Sequence, residues 1–266
     1  MSDKPPPRIL SIAGSDSGGG AGIQADIKTI TMLGGYAMTA ITAITAQNSR
    51  GVQGITPLGG DFVVEQIDSC LTDFGADAIK IGMLHDAGII AEVAKGLATL
   101  PEAQGVPLIL DPVMVATSGA RLLREDAVEI MRERLFPVST IATPNLPEAR
   151  ILAELPNGSA DECAEKLLPF IRHLLITGGH GDETEVHNRL YCRDGSRYDF
   201  SCQRLPGSYH GSGCTLASAL SGRLALGEDL ASAVKSALDY TWRTLRDAEA
   251  PGHGQYIPRR LPLDLA

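Results

Sequence analysis

No apolar run in the 266-residue chain approaches the roughly 20 residues needed to cross a bilayer, so a membrane-spanning role is not expected. The opening MSDKPPPRILSIAG has prolines where a secretory signal carries its apolar stretch, and ILSIAG is too short to serve as one. A cytoplasmic protein is expected. Lysine and arginine form no run that would track a phosphate backbone, and the net charge is −9, so extended nucleic acid is not an expected partner. A small anion remains admissible, because backbone N–H groups or a metal ion supply local positive potential whatever the global charge. The five cysteines, Cys70, Cys163, Cys192, Cys202 and Cys214, are odd in number and show no CxxC spacing, which supports neither a disulfide framework nor a zinc site. Repeats, low-complexity segments and linkers are also missing.

What is present is an ordinary globular composition, 44% hydrophobic and 21% charged, in a length that one α/β domain accommodates. Residues 1–266 therefore read as a single domain. Apolar segments RILSIAG, AMTAITAITAQ, DAIKIGM, PLILDPVM, VSTIATPN and HLLITGG alternate with stretches of helical period. One such stretch, 23–33, sets Ile23, Ile27, Ile30 and Leu33 on one face; another, 62–74, does so with Phe62, Val63, Ile67, Cys70 and Phe74. The alternation predicts an α/β fold with a mostly parallel central sheet and helices on both faces. EVHNRLYC and RYDFSCQRL flank the turn residues RDGS and predict an antiparallel edge hairpin. Two helices, CTLASALSGRLAL and DLASAVKSALDYTWRTL, follow it. The tail APGHGQYIPRRLPLDLA reads as an irregular, surface-like end.

The unusual polar residues cluster just after strand segments, where open α/β sheets bind ligands. AGSDSGGGAGIQAD, residues 13–26, matches neither GxxxxGK[ST] nor GxGxxG, which rejects a P-loop and a dinucleotide site there. Its glycines either let backbone approach a ligand closely or make a flexible turn. Gln47 offers donor and acceptor to a heterocycle edge, or is an ordinary loop residue. Asp111 ends one strand and Asn145 another, with Glu148 three residues later. Such carboxylates suit Mg²⁺, although Glu148 also reads as a first-turn acid complementing a helix dipole. In HGSGCTLASAL the amides of Gly213, Cys214 and Thr215 are expected to point outward from a helix start and hold an oxyanion or phosphate. A thiol at that position is expected to have a lowered pKa, with His210 available as a base, so a nucleophilic cysteine competes with an anion loop.

Taken together and in order, AGSDSGGGAGIQADIKT, AQNSRGVQ, KIGML, DPVM, TPNLPEA, TGGH and HGSGCT resemble the hydroxymethylpyrimidine/phosphomethylpyrimidine kinases, thiamine-biosynthesis enzymes of the ribokinase-like superfamily. The resemblance spans nearly the whole chain. It implies a three-layer α/β/α ribokinase-like fold and ATP-dependent, Mg²⁺-assisted phosphorylation of a pyrimidine carbinol, then of its monophosphate. Carried over by position, it implies that Gly14, Asp26, Gln47, Met83 and Val113 meet the pyrimidine and that Asn145, Glu148, Thr177 and Ser212 meet the nucleotide. Asp111 and Glu148 would organise Mg²⁺, while Gly211, Gly213 and Cys214 would form the catalytic anion hole. Relatives are usually dimers, so a homodimer is expected. Thr177 departs from the pattern, since family members often have lysine before GGH. The alternatives are a pyridoxal kinase of the same fold, a covalent cysteine hydrolase or transferase, and a non-catalytic vitamin-binding protein.

Overall fold

Several strands are apolar on consecutive residues rather than alternate ones: Ile9 and Leu10, Ala78 and Ile79, Leu108 and Ile109, and Leu174 and Leu175 are all buried. A strand of that kind has both faces covered. The structure, a computed structural model, describes residues 5–115, 119, 122–179 and 184–262. In chain order its elements are β1 (Arg8–Asp16), α1 (Gly22–Met32), β2 (Tyr36–Asn48), β3 (Gly51–Pro57), α2 (Gly60–Phe74), β4 (Ala78–Ile81), α3 (Ala87–Thr99) and β5 (Leu108–Leu110). Then come α4 (Ala127–Ile130), β6 (Ile141–Ala142), α5 (Leu146–Ala153), α6 (Ala160–Leu167), β7 (His173–Ile176), β8 (Glu185–Cys192), β9 (Arg197–Gln203), α7 (Ser212–Ala225) and α8 (Leu230–Arg246).

Among the described residues the strands form one nine-stranded sheet, in the order β3-β2-β1-β4-β5-β6-β7-β8-β9. The run from β2 through β7 is parallel, while β3 pairs antiparallel with β2, β8 with β7 and β9 with β8. Leu10 and Ile79 face a core with Val63, Ile67 and Leu71 of α2 and Ile90 and Val93 of α3. Ile9, Ala78 and Ile109 face a second core with Leu220 of α7 and Val234 and Tyr240 of α8. The sheet thus lies between two helical layers, as expected. Strand order departs from β1 in both directions, to β2 and to β4. The reversal opens a crevice at the carboxyl ends, where β1, β2, β5, β6 and β7 lead into polar residues and β4 leads into Met83.

The hairpin is where the sequence puts it, but the opposite edge was not anticipated. β3 pairs antiparallel with β2, Ala43 opposite Pro57, so both edges are antiparallel. Its sequence, GVQGITP, has two glycines and no clean alternation, and it is held by pairing rather than propensity. The helix faces also need correction. Ile27 is exposed, because the inward face of α1 carries Asp26 and Thr29 beside Ile23 and Ile30. In α2 the inward residues are Val63, Ile67 and Leu71, leaving Phe62 and Phe74 exposed. The tail is irregular and largely exposed as expected, but it is tied back by Gln255 N to the Ser49 carbonyl and His210 N to the Tyr256 carbonyl, and Arg260 is buried.

Candidate active site

The crevice is a cavity of about 770 Å³, lined by Gly14, Gln47, Met83, Asp111, Val113, Asn145, Glu148, Thr177, Gly211, Ser212, Gly213 and Cys214. All but one of the expected site residues therefore share one space. The exception is Asp26, which is fully buried on α1 beneath the floor. Its carboxylate accepts from Ser11 Oγ at 2.6 Å, Ser218 Oγ at 2.7 Å and Lys80 Nζ at 2.9 Å. Asp26 is spent on this cluster and cannot touch a pyrimidine. His180 of the TGGH segment lies outside the described residues.

Three elements shape one end of the cavity. The loop between β1 and α1 needs glycine for close approach: a Cβ on Gly20 would fall 2.5 Å from His210 Cδ2 and 2.7 Å from Ile257 Cδ1. Glycine at position 20 lets the loop pack directly against His210 and Ile257. Asp16 ties the loop together, accepting from the Gly18, Gly20 and Ala21 amides at 2.8, 3.0 and 2.8 Å. His210 Nε2 lies 2.8 Å from Asp16 Oδ2 and 3.0 Å from the Gln47 amide. Burial opposes the Asp16 charge, but His210 and the loop amides outweigh it and hold the carboxyl below its ordinary value. Thr45 Oγ1 donates to the Ser15 carbonyl at 2.9 Å and lies 3.1 Å from the Gln47 side-chain amide. His210 Nε2 lies between the Asp16 carboxylate and Gln47 Nε2, and Gln47 Oε1 accepts from Thr45 Oγ1. His210 therefore orients the Gln47 amide and is not paired with Cys214.

α7 supplies the centre. Thr215 N bonds back to the Gly211 carbonyl at 3.0 Å, so the free amides belong to Ser212, Gly213 and Cys214, one residue earlier than the sequence suggests. The Asp111 carboxylate lies beside this helix start, with Oδ2 3.4 Å from where a Cβ on Gly213 would stand. Burial pushes the Asp111 carboxyl up to about 6, and burial with repulsion from Asp111 pushes Glu148 up to about 8. Asp111 Oδ2 is buried with no hydrogen-bond partner among the described residues. Asn145 and Glu148 form a reciprocal capping box on α5, Glu148 N to Asn145 Oδ1 at 2.9 Å and Asn145 N to Glu148 Oε2 at 3.0 Å. Glu148 is thus the capping-box residue of α5 and also lines the cavity.

The Cys214 thiol contradicts the sequence expectation. Burial, with Asp26 and Asp111 nearby, pushes it up to about 12, and the helix terminus does not overcome this. A neutral buried thiol is a poor nucleophile. Alkylation with iodoacetamide at pH 7.5 should leave Cys214 unmodified in the folded protein and modify it in urea, read by peptide mass spectrometry. Rapid modification of the folded form would contradict this burial.

Lys80, fully buried in β4 and paired with Asp26, was not singled out from sequence. Burial opposes its charge, but Asp26, Cys214 and Asp111 together raise its pKa. A lysine within the apolar run AIKI was the available signal, because a charge in a strand covered on both faces requires a partner.

The linked carboxylates give a signed pH dependence. Between pH 4.5 and about 8 unfolded Glu148 has lost its proton while folded Glu148 keeps it, so stability falls as pH rises. The slope from this group is on the order of 1 kcal/mol per pH unit in that window. Glu148→Gln should flatten the difference between urea midpoints at pH 5 and 8.5 in metal-free buffer; an unchanged difference would contradict it.

An amide cradle at a helix start, facing carboxylates at the carboxyl edge of a mostly parallel sheet, defines a ribokinase-like phosphotransferase of small molecules. The phosphomethylpyrimidine kinase family profile matches residues 16–259, and the chain belongs to that family. It is 42% identical over 260 residues to the hydroxymethylpyrimidine/phosphomethylpyrimidine kinase of Mycobacterium tuberculosis, covering 95% of this chain and 94% of that one. It is also 42% identical over 255 residues to the thiamine biosynthesis bifunctional protein ThiED of Geobacter sulfurreducens, covering 92% of this chain and 50% of that protein's length. Among solved structures, an ADP complex of Bacillus subtilis pyridoxal kinase superposes with a TM-score of 0.88 at 31% identity, over 98% of this chain and 99% of that one.

Proposed function

We propose that the protein transfers the terminal phosphoryl group of ATP to the hydroxymethyl group of 4-amino-5-hydroxymethyl-2-methylpyrimidine, and then to the resulting monophosphate, in thiamine biosynthesis. The carrying observation is that the free amides of Ser212, Gly213 and Cys214 open into the same cavity as Gln47, Met83 and Val113. A Cβ on Gly14 would overlap the Met83 methyl, so glycine lets Met83 lie across the ring pocket. Gln47, locked by His210 and Thr45, reads the polar edge of the pyrimidine. At the other end Thr177, Asn145 and Ser212 border the polyphosphate, and Val186, Leu238, Trp242 and Leu245 offer an apolar wall to adenine.

Mg²⁺ fits this site. Asp111 has an orphaned buried oxygen, and both cavity carboxylates have raised pKa values, so a cation relieves what burial imposes. Among the described residues no cluster of three or more His, Cys, Asp or Glu could hold a metal. The ion would take Asp111 and Glu148, with water and phosphate filling its shell, and would neutralise charge on the phosphate oxygens. The chain's own contribution is positional: the transition state is loose, so aligned amides count for more than a strong base. The neutral Cys214 thiol can stand beside an alcohol or a phosphate without charge repulsion. A carboxylate there would add to Asp26 and Asp111, so Cys214→Asp should retain some alcohol phosphorylation and lose the second step. Equal losses in separate assays would refute this.

The reading places the enzyme in the cytoplasm, where the five cysteines, free in the structure, stay reduced. Among the described residues no helix is long and apolar enough to cross a membrane. It also includes a homodimer, for which the exposed Tyr36–Phe74 ring pair offers apolar surface; light scattering reports it. A coupled ADP-release assay with the pyrimidine alcohol, its monophosphate and pyridoxal tests the function. Turnover of both pyrimidines is expected, and turnover of pyridoxal alone would reassign the chain to pyridoxal phosphorylation.

A further inference from the structure

The mouth of α7 is closed from behind by a residue far along the chain. Arg260, 7% exposed, donates from Nη2 to the Gly20 carbonyl at 2.8 Å and the Gly211 carbonyl at 3.3 Å. Nε donates to Thr215 Oγ1 at 3.1 Å, and Nη1 reaches the Pro258 carbonyl at 3.4 Å. The C-terminal arm delivers it: His210 N donates to the Tyr256 carbonyl at 2.9 Å, and Gln255 N to the Ser49 carbonyl at 2.9 Å. One guanidinium thus joins the loop after β1 to the N-cap of α7, two glycine segments in direct contact beside the cradle amides.

Its charge is in the wrong place for stability alone. A cation belongs at the carboxyl end of a helix, and at the amino end it adds to the positive pole. Burial makes this worse, pushing the Arg260 pKa down, although arginine remains charged. Asp26 and Asp16 lie near enough to favour its charge but bond elsewhere, Asp16 to His210 and loop amides and Asp26 to Lys80 and two serines. Among the described residues no carboxylate forms an ion pair with Arg260; its partners are carbonyls and a hydroxyl. A buried cation without a bonded anion, behind three free amides, suits a cradle that receives an anion.

Resting on the kinase function above, we propose that Arg260 is a positioning residue whose fixed charge at the back of the α7 cradle favours the phosphorylated acceptor over the neutral alcohol. It touches no substrate; it acts through its field on an anion held at the cradle. Loss of one buried charge near a phosphate weakens binding by about tenfold.

The test is steady-state kinetics of the full chain with each acceptor for Arg260→Gln and Arg260→Lys, with thermal melts to verify folding. Arg260→Gln should raise KM for the monophosphate about tenfold and leave KM for the alcohol within about twofold. Arg260→Lys, which keeps the charge and loses the fork, should stay within about threefold for both. Equal changes for the two acceptors in Arg260→Gln, or the same selective loss in Arg260→Lys, would overturn the assignment. If Arg260→Gln does not fold, Arg260→Lys decides: a tenfold rise for the monophosphate refutes the role of charge. Should the wild-type protein phosphorylate neither pyrimidine, the kinase function itself fails. Calorimetric titration with inorganic phosphate then judges Arg260 independently: about tenfold weaker binding in Arg260→Gln supports it, and unchanged binding refutes it.

Discussion

Gly211→Ala should lower kcat/KM for both pyrimidine acceptors by about 10²-fold or more, the scale expected when a reacting group is misplaced by about 1 Å. Gly211 is the N-cap of α7 and has a φ of 82°, a left-handed conformation that costs an L-residue roughly 1–2 kcal/mol. The larger effect is steric. A Cβ there would fall on the Gly20 carbonyl oxygen, far inside van der Waals contact, and 3.0 Å from Arg260 Nη2. Backbone cannot rotate away as a side chain can, so the β1–α1 loop and the start of α7 must separate, and the free amides shift with them. Gly195→Ala is the control, because Gly195 has a φ of 91° in the β8–β9 turn with nothing within 4 Å of an added Cβ. It should lose about 1 kcal/mol of stability from strain and keep its turnover. Equal turnover in the two variants would contradict this role for Gly211.

Lys80→Met should cost about 3–5 kcal/mol of unfolding free energy, because it strands the Asp26 carboxylate where both side chains of the pair are 0% exposed. Asp26→Leu alone should be comparably harmful, leaving an unpaired ammonium and two unanswered hydroxyls. The double variant should cost clearly less than the sum, since replacing both charges removes the uncompensated one. A double-mutant cycle by urea unfolding reads this directly. Strict additivity would mean that the buried pair is not coupled.

The fold was legible wherever local pattern and tertiary context agree. Consecutive apolar residues at Ile9–Leu10 and Ala78–Ile79 announce strands covered on both faces, and RDGS announces the hairpin. β3 was not legible, because GVQGITP becomes a strand only through pairing with β2. Ile27 and Phe62 misled for a related reason: apolar periodicity cannot register that the inward face of α1 is reserved for Asp26 and a polar cluster. Gln47, Asp111, Asn145 and Glu148, singled out as polar residues following strands, all line the one cavity. The long-range bonds of the site were not legible. Asp16 with His210, Lys80 with Asp26, and Arg260 with Gly20 and Gly211 join residues 194, 54, 240 and 49 positions apart, and sequence spacing carries no trace of them. The Cys214 thiol was misjudged because a helix start lowers a thiol pKa only where water and cations are not outweighed by burial and neighbouring carboxylates.

The most direct test is a crystal structure of the protein with a non-hydrolysable ATP analogue and Mg²⁺. The terminal phosphate is expected within about 3 Å of the Ser212, Gly213 and Cys214 amides, facing Asp111. A terminal phosphate bound away from residues 211–214, with those amides on water, would contradict the cradle as the seat of phosphoryl transfer.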